Sequence, residues 1–324
     1  MMSKVLRCAG SVVVVGFGGY AIWKGGRDLP ALTLDQPSFW AWLGLGLGLY
    51  LVPQVLAAFA WAGNLAVFRV RLPRGRAETQ FLVSQVGKYI PGNVTQFAWR
   101  LALARRDGIP GGLVGLAMLL EISVMLTAAG VLFLACLLLA PRLALSLLPP
   151  GIGNLLSNQS LPLAGALAAG IGLGIWYLIG LIRRKASTMQ LKPVLATRPL
   201  ALHVVSFLLL GLSLGCVIQA TTPTGINPVL LSIPVFVVGW TFGFLTPGSQ
   251  GGIGVREGVI VLGLGATLGE GPALTAALLH RTICVLGDLT AFAISSRYRP
   301  KTKGPTPEDP QPICHETMAT ARRT

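Results

Sequence analysis

Two arginines in otherwise apolar surroundings, Arg100 and Arg256, each follow a Pro-Gly pair at the same interval. The first copy runs Gln85-Val86-Gly87-Lys88-Tyr89-Ile90-Pro91-Gly92 and continues through Asn93, Val94, Thr95 and Gln96 to Arg100. The second, 156 residues later, runs Thr241-Phe242-Gly243-Phe244-Leu245-Thr246-Pro247-Gly248 and continues through Ser249, Gln250 and Gly251-Gly252-Ile253-Gly254-Val255 to Arg256. Gly, Pro-Gly and Arg fall in register in both copies. The chemistry that such groups support is anion binding. Pro is preorganised for a first helical turn, so each Pro-Gly can break a helix and restart it with free backbone N–H groups pointing inward. Arginine adds a planar, permanently charged fork suited to two phosphate oxygens.

The expected substrate-binding set is therefore Pro91, Gly92, Asn93 and Arg100 in one copy, with Pro247, Gly248, Ser249, Gln250 and Arg256 in the other. At helical rise each arginine would stand about 13 Å beyond its break, on a cavity wall or mouth. The plain alternative is two packing kinks with snorkelling arginines. Recurrence in register favours a site, because broken backbone at membrane depth is tolerated only when buried in protein or lining a wet cavity.

Further charges sit deep in apolar segments. Glu121 lies in Leu119-Leu120-Glu121-Ile122, Arg281 is similarly deep in the last apolar stretch, and Asp288 follows it by seven residues on the same helix face. Such groups should face the interior and pair. Glu121 is expected to meet Arg281 or a motif arginine, and Lys88 and Glu257 are further candidates for charge balance or gating. Gly251-Gly252-Ile253-Gly254 lacks the Lys-Ser/Thr and strand context of a phosphate loop; close helix approach is the expected role. The five cysteines and three histidines show no metal-ligand or disulfide spacing. No Ser/His/Asp set or paired-carboxylate motif emerges. The expectation is a protein that is not an enzyme and uses no cofactor or metal.

These residues must be held by membrane helices. The chain has 324 residues, 53% apolar and 11% charged, against about 25% charged in soluble domains. The net charge of +15 is spread over loops between apolar stretches, which argues against a nucleic-acid face. Stretches long enough to cross a bilayer run roughly 5–23, 38–62, 111–140, 160–182, 200–220 and 273–296. The first is followed by Lys24-Gly25-Gly26-Arg27 instead of a small-residue cleavage site, so it reads as an uncleaved span. The motif regions, 81–104 and 229–268, read as re-entrant hairpins, although 229–268 is also long enough for two full crossings.

Lysine and arginine concentrate at the amino terminus, 69–80, 101–110, 183–199 and the tail after 297, which should be cytoplasmic. The first hairpin then enters from the cytoplasm and the second from outside. The expected architecture is an all-α integral membrane protein of about six crossing helices plus two Pro-Gly-broken re-entrant hairpins in an inverted repeat. Residues 1–140 form the first repeat, 141–299 the second, and 300–324 a disordered cytoplasmic tail.

At these motifs the chain resembles the flippase-like membrane family that includes the transmembrane part of lysylphosphatidylglycerol synthase. The similarity rests on Gly87-Lys88-Tyr89-Ile90-Pro91-Gly92 with Arg100, on Leu245-Thr246-Pro247-Gly248 with Gly251 through Glu257, and on Glu121 and His280-Arg281. It covers most of residues 1–297. In the two-part synthases a cytoplasmic domain makes the lipid and the membrane part moves it between leaflets. No such domain is evident here, so the resemblance implies lipid translocation without lysyl transfer. Polyprenyl-phosphate-linked sugars and hopanoid-type lipids are among the cargoes suggested for relatives lacking the synthase domain.

The expected function is an inner (plasma) membrane translocase for an anionic or phosphate-bearing lipid, with both termini cytoplasmic and lipid as its partner. Two alternatives stand beside it. One is an integral-membrane transferase, or an accessory subunit of a lipid-modifying enzyme; the other is a small-solute or ion transporter.

Overall fold

The computed structural model describes residues 34–90, 94–139, 180, 196–222, 228–246 and 250–297. Among these the chain forms eight α-helices and no strand: α1 (Pro37–Val67), α2 (Arg76–Ser84), α3 (Thr95–Arg106), α4 (Gly111–Leu139), α5 (Thr197–Thr221), α6 (Pro228–Leu245), α7 (Val255–Leu268) and α8 (Glu270–Arg297). Short 3-10 turns occupy Gln85–Tyr89 and Gln250–Gly252. Helices α1, α4, α5 and α8 are long and apolar enough to cross a bilayer, and this is a membrane protein. They coincide with the expected spans at 38–62, 111–140, 200–220 and 273–296. The expected spans 5–23 and 160–182 and the tail from 300 lie outside the described residues.

The helices start where local chemistry allows. Proline stands at the first turn of α1, where its missing N–H costs nothing. Glu270 begins α8, an acidic group at the positive end of the helix dipole. Outward faces are apolar: Trp40, Leu45, Val52, Phe59, Val131, Leu138, Leu262 and Ile294 are all exposed, as lipid-facing side chains should be. Helices α1 and α5 are tied by Ser213, whose hydroxyl donates to the Gly46 carbonyl at 2.8 Å, a bond between helices typical of membrane packing.

Both motif regions are helix, break, helix. In the first, α2 has nine residues and α3 twelve, about 14 and 18 Å, well short of a hydrocarbon core of about 30 Å. In the second, α6 has eighteen residues and α7 fourteen. Each break is crossed by a close contact at an equivalent glycine. A Cβ on Gly87 would lie 2.8 Å from both N and Cα of Gln96, and a Cβ on Gly243 would lie 3.0 Å from Cα of Gly252. These two contacts are separated by the same 156 residues as Arg100 and Arg256. The sequence repeat is also a packing repeat.

Two apolar clusters surround the broken segments. One joins Ala58, Trp61 and Leu65 of α1 to Phe81, Ala104 and the first half of α4. The other joins Tyr50, the second half of α4, and buried faces of α5, α6, α7 and α8. Helices α1 and α4 contribute to both.

Candidate functional site

The two breaks meet. A Cβ on Gly251 would sit 3.4 Å from Lys88 Cγ and 3.6 Å from the Lys88 carbonyl oxygen, so the 3-10 turns abut. Beside them is a cavity of about 160 Å³ whose wall includes Lys88, Arg100, Arg256 and Arg281, with Glu121 the one carboxylate among the described lining residues. Phe207, Phe236, Trp240 and Phe244 make an aromatic part of the same wall; Trp240 stacks on Phe244 at 5.0 Å and meets Phe207 edge-on at 4.7 Å. The cavity is thus polar and net cationic in one part, apolar and aromatic in another.

The two motif arginines lie in register but in different surroundings. Arg100, the sixth residue of α3, is 2% exposed. Its Nη1 reaches Glu121 Oε2 at 2.5 Å, its Nε donates to Ser84 Oγ at 3.2 Å, and its guanidinium lies over the rings of Phe81 at 4.5 Å and Trp61 at 4.9 Å. Of the partners expected for Glu121, Arg100 is the one it meets. This ion pair is buried and well supplied with contacts.

Arg256 is the second residue of α7 and is also buried. Its Nη2 lies 3.5 Å from Glu257 Oε1, long for an N–H···O bond, and donates to Cys284 Sγ at 3.6 Å, while its guanidinium faces the Phe236 ring at 5.9 Å. Its Nε has no partner among the described residues. The arginine is not reached along one continuous helix. Gly251, Gly252 and Gly254 adopt φ of 57°, 78° and 82°, a left-handed region open to glycine, so helix resumes only at Val255. Proline therefore does not begin the restarted helix in either copy: the first resumes at Thr95 and the second at Val255. Glu257 helps begin α7, accepting a 2.7 Å bond from the Gly254 N–H, as an N3 carboxylate does in a capping box.

Asp288 and Arg281, expected on one face of α8, do not pair with each other. Asp288 is fully buried and accepts from Tyr50 Oη at 3.0 Å, Gln54 Nε2 at 2.8 Å, Lys88 Nζ at 2.7 Å and Tyr89 Oη. Two donors come from α1 and two from the first break. Arg281 donates to the Gly251 carbonyl at 2.9 Å, lies 3.6 Å from Glu257, and faces the Tyr89 ring at 5.5 Å. Helix α8 therefore holds both breaks from one side.

Pro91, Gly92, Asn93, Pro247, Gly248 and Ser249 lie outside the described residues, as does the side chain of Gln250. The remaining candidates converge: Lys88, Arg100, Glu121, Arg256, Glu257, Arg281 and Asp288 surround or adjoin one cavity. Motif reading missed Tyr50, Gln54, Ser84, His203 and Cys284. Tyr50 and Gln54 did carry a signal, being polar groups four residues apart inside an apolar span and hence on one helix face.

No family model and no curated protein matches this chain. Resemblance to the flippase-like family thus rests on the quoted motifs alone. Among the described residues no three His, Cys, Asp or Glu side chains gather as metal ligands.

Proposed function

We propose that this chain is an inner-membrane translocase that moves a phosphate-bearing or otherwise anionic lipid between leaflets, with both termini cytoplasmic. One observation carries the reading: the two broken segments meet beside one cavity whose described lining holds four cationic side chains, with Glu121 on the wall and Glu257 and Asp288 behind it as their carboxylate partners, and an aromatic wall adjoins them. An anionic headgroup would sit among the cations while its hydrocarbon lies along Phe207, Trp240 and Phe244. Passage of a headgroup through hydrocarbon is slow because desolvation is costly. A polar cavity lowers that barrier without covalent chemistry.

Re-entry of both motif regions from opposite faces belongs to the same proposal. The shortness of α2 and α3 supports it, as do the equivalent glycine contacts at Gly87 and Gly243. Alternate opening of the two pairs, each leaning on α8, would expose the cavity to one leaflet and then the other.

Mass spectrometry of lipids that co-purify with the protein tests the reading. The wild type should enrich one anionic lipid class over the membrane average, and Arg256→Ala should lose that enrichment. Equal lipid profiles for both proteins would contradict it.

A further inference from the structure

Four cations line the cavity, and three of them are committed to the protein. Arg100 is enclosed by Glu121, Ser84 and the rings of Trp61 and Phe81. Arg256 donates to Cys284 Sγ and faces the Phe236 ring. Arg281 donates to the Gly251 carbonyl and so holds the second break. Lys88 differs. Its side chain is the most accessible of the four, 19% exposed against 14% for Arg281, 9% for Arg256 and 2% for Arg100. An ammonium carries three N–H donors, and among the described residues Asp288 is its one ionic partner, at 2.7 Å.

Asp288 does not depend on that bond alone. Tyr50 and Gln54 donate to its Oδ1, and Tyr89 donates to Oδ2 beside the lysine. Both carboxylate oxygens therefore keep a donor when the ammonium turns toward another acceptor. Glu121 has no such reserve, since Arg100 is its one partner among the described residues. Lys88 also stands where the two breaks abut, its stem against Gly251 of the second. Charge favours an anion at this seam. Arg256 and Arg281 share Glu257, so the four cations have three carboxylate partners, and one positive charge is left over.

We infer that Lys88 is the cation that contacts the anionic group in the cavity, and that Asp288 competes with the ligand for its ammonium. The ligand is an oxyanion such as a phosphate group, seated at the seam of the two breaks. Lys88 donates to it, while Arg256 and Arg281 supply the excess charge that draws it in. Asp288 is a positioning residue: with Tyr50 and Gln54 of α1 it parks the ammonium when the cavity is empty. The source of the anion, a lipid, rests on the translocase reading; the contact itself requires only the anion.

The test is a binding titration on the purified full chain in detergent, read by tryptophan fluorescence with Trp240 on the cavity wall. Dihexanoyl phosphatidate, inorganic phosphate and dihexanoyl phosphatidylcholine are the probes. Wild type should bind phosphatidate more tightly than phosphatidylcholine. Lys88→Met should weaken phosphatidate binding by about 10- to 100-fold, the loss of one charge-assisted hydrogen bond. Asp288→Asn should bind phosphatidate as tightly as wild type or more tightly, because the competitor for the ammonium is gone. A merely structural ion pair would make both variants weaker alike. Should Lys88→Met fail to fold, Lys88→Met combined with Asp288→Asn removes both charges and should bind as weakly. The exposed Arg74→Ala controls for general electrostatic attraction and should bind as wild type does.

Equal affinity of inorganic phosphate and phosphatidate would support the contact and identify bare phosphate as its ligand. Binding as expected without lipid movement in vesicles would sink the translocase reading and leave the contact intact. The proposal is overturned if neither phosphate probe binds wild type, or if phosphatidylcholine binds as tightly as phosphatidate. It is equally overturned if the Lys88 variants bind normally, if Asp288→Asn weakens binding, or if Arg74→Ala weakens it as much as Lys88→Met.

Discussion

At the scale of single residues, the buried charges follow two different rules. Arg100 and Glu121 neutralise each other at 2.5 Å, so removing one partner strands the other in the interior. Arg100→Met should cost about 3–5 kcal/mol, whereas replacing both partners with Met should recover most of that. Thermal melting in detergent checks this, and equal melting temperatures for the single and double variants would contradict it. Asp288 is satisfied by four donors, and the neighbouring glycine makes that possible. A Cβ on Gly287 would come within 2.3 Å of Tyr50 Cδ1. Gly287→Ala should displace the Tyr50 ring, loosen the Asp288 cluster and destabilise the protein by about 1–3 kcal/mol, the usual cost of overpacking. Tyr50→Leu in the same chain should relieve the clash and raise the melting temperature again; no recovery would show that the ring is not the obstacle.

The next scale is that of the elements, where the two broken pairs carry the repeat. The chain packs back across each break at Gly87 and Gly243, each against the residue nine positions later. Gly87→Ala and Gly243→Ala should therefore each lower stability by about 1–3 kcal/mol. Gly115 on α4 has nothing within 4 Å of an added Cβ, so Gly115→Ala should be neutral or stabilise by up to about 1 kcal/mol through helix propensity. Equal melting shifts at all three positions would break the packing repeat.

Much of this level was legible beforehand. The four long apolar helices follow directly from uninterrupted hydropathy, and Pro-Gly marked both interruptions. The restart points were not legible. Pro91 and Pro247 looked like first-turn residues, but left-handed glycines delay the second helix to Val255, and the first resumes only at Thr95. Pairing of Lys88 with Asp288 was equally hidden, since it links residues 200 apart in sequence and depends on how the first break folds onto α8.

For the whole molecule, the account requires the two broken pairs to enter the membrane from opposite faces. Single cysteines at Arg106, the last residue of α3, and Thr267, near the end of α7, report this in a background without native cysteines. A membrane-impermeant thiol reagent applied from outside should label position 267 and spare 106 until the cells are opened. Labelling of both from one side would rule out the inverted arrangement. The convergence of both motifs on one cavity was implied by their repetition, but the unequal roles of Arg100 and Arg256 were not. Their sequence contexts match; their partners, Glu121 in one case and Cys284 in the other, come from separate helices.

Translocation itself is most directly measured with the purified protein in liposomes, following a fluorescent short-chain phosphatidate and the matching phosphatidylcholine across the bilayer. Wild type should move phosphatidate well above the protein-free rate and prefer it to phosphatidylcholine. Arg256→Ala should fall at least about tenfold, equivalent to 1.4 kcal/mol or more of lost headgroup stabilisation, while melting at a temperature close to wild type. Wild-type liposomes that move phosphatidate no faster than empty ones, or an alanine variant that moves it at the wild-type rate, would contradict the account.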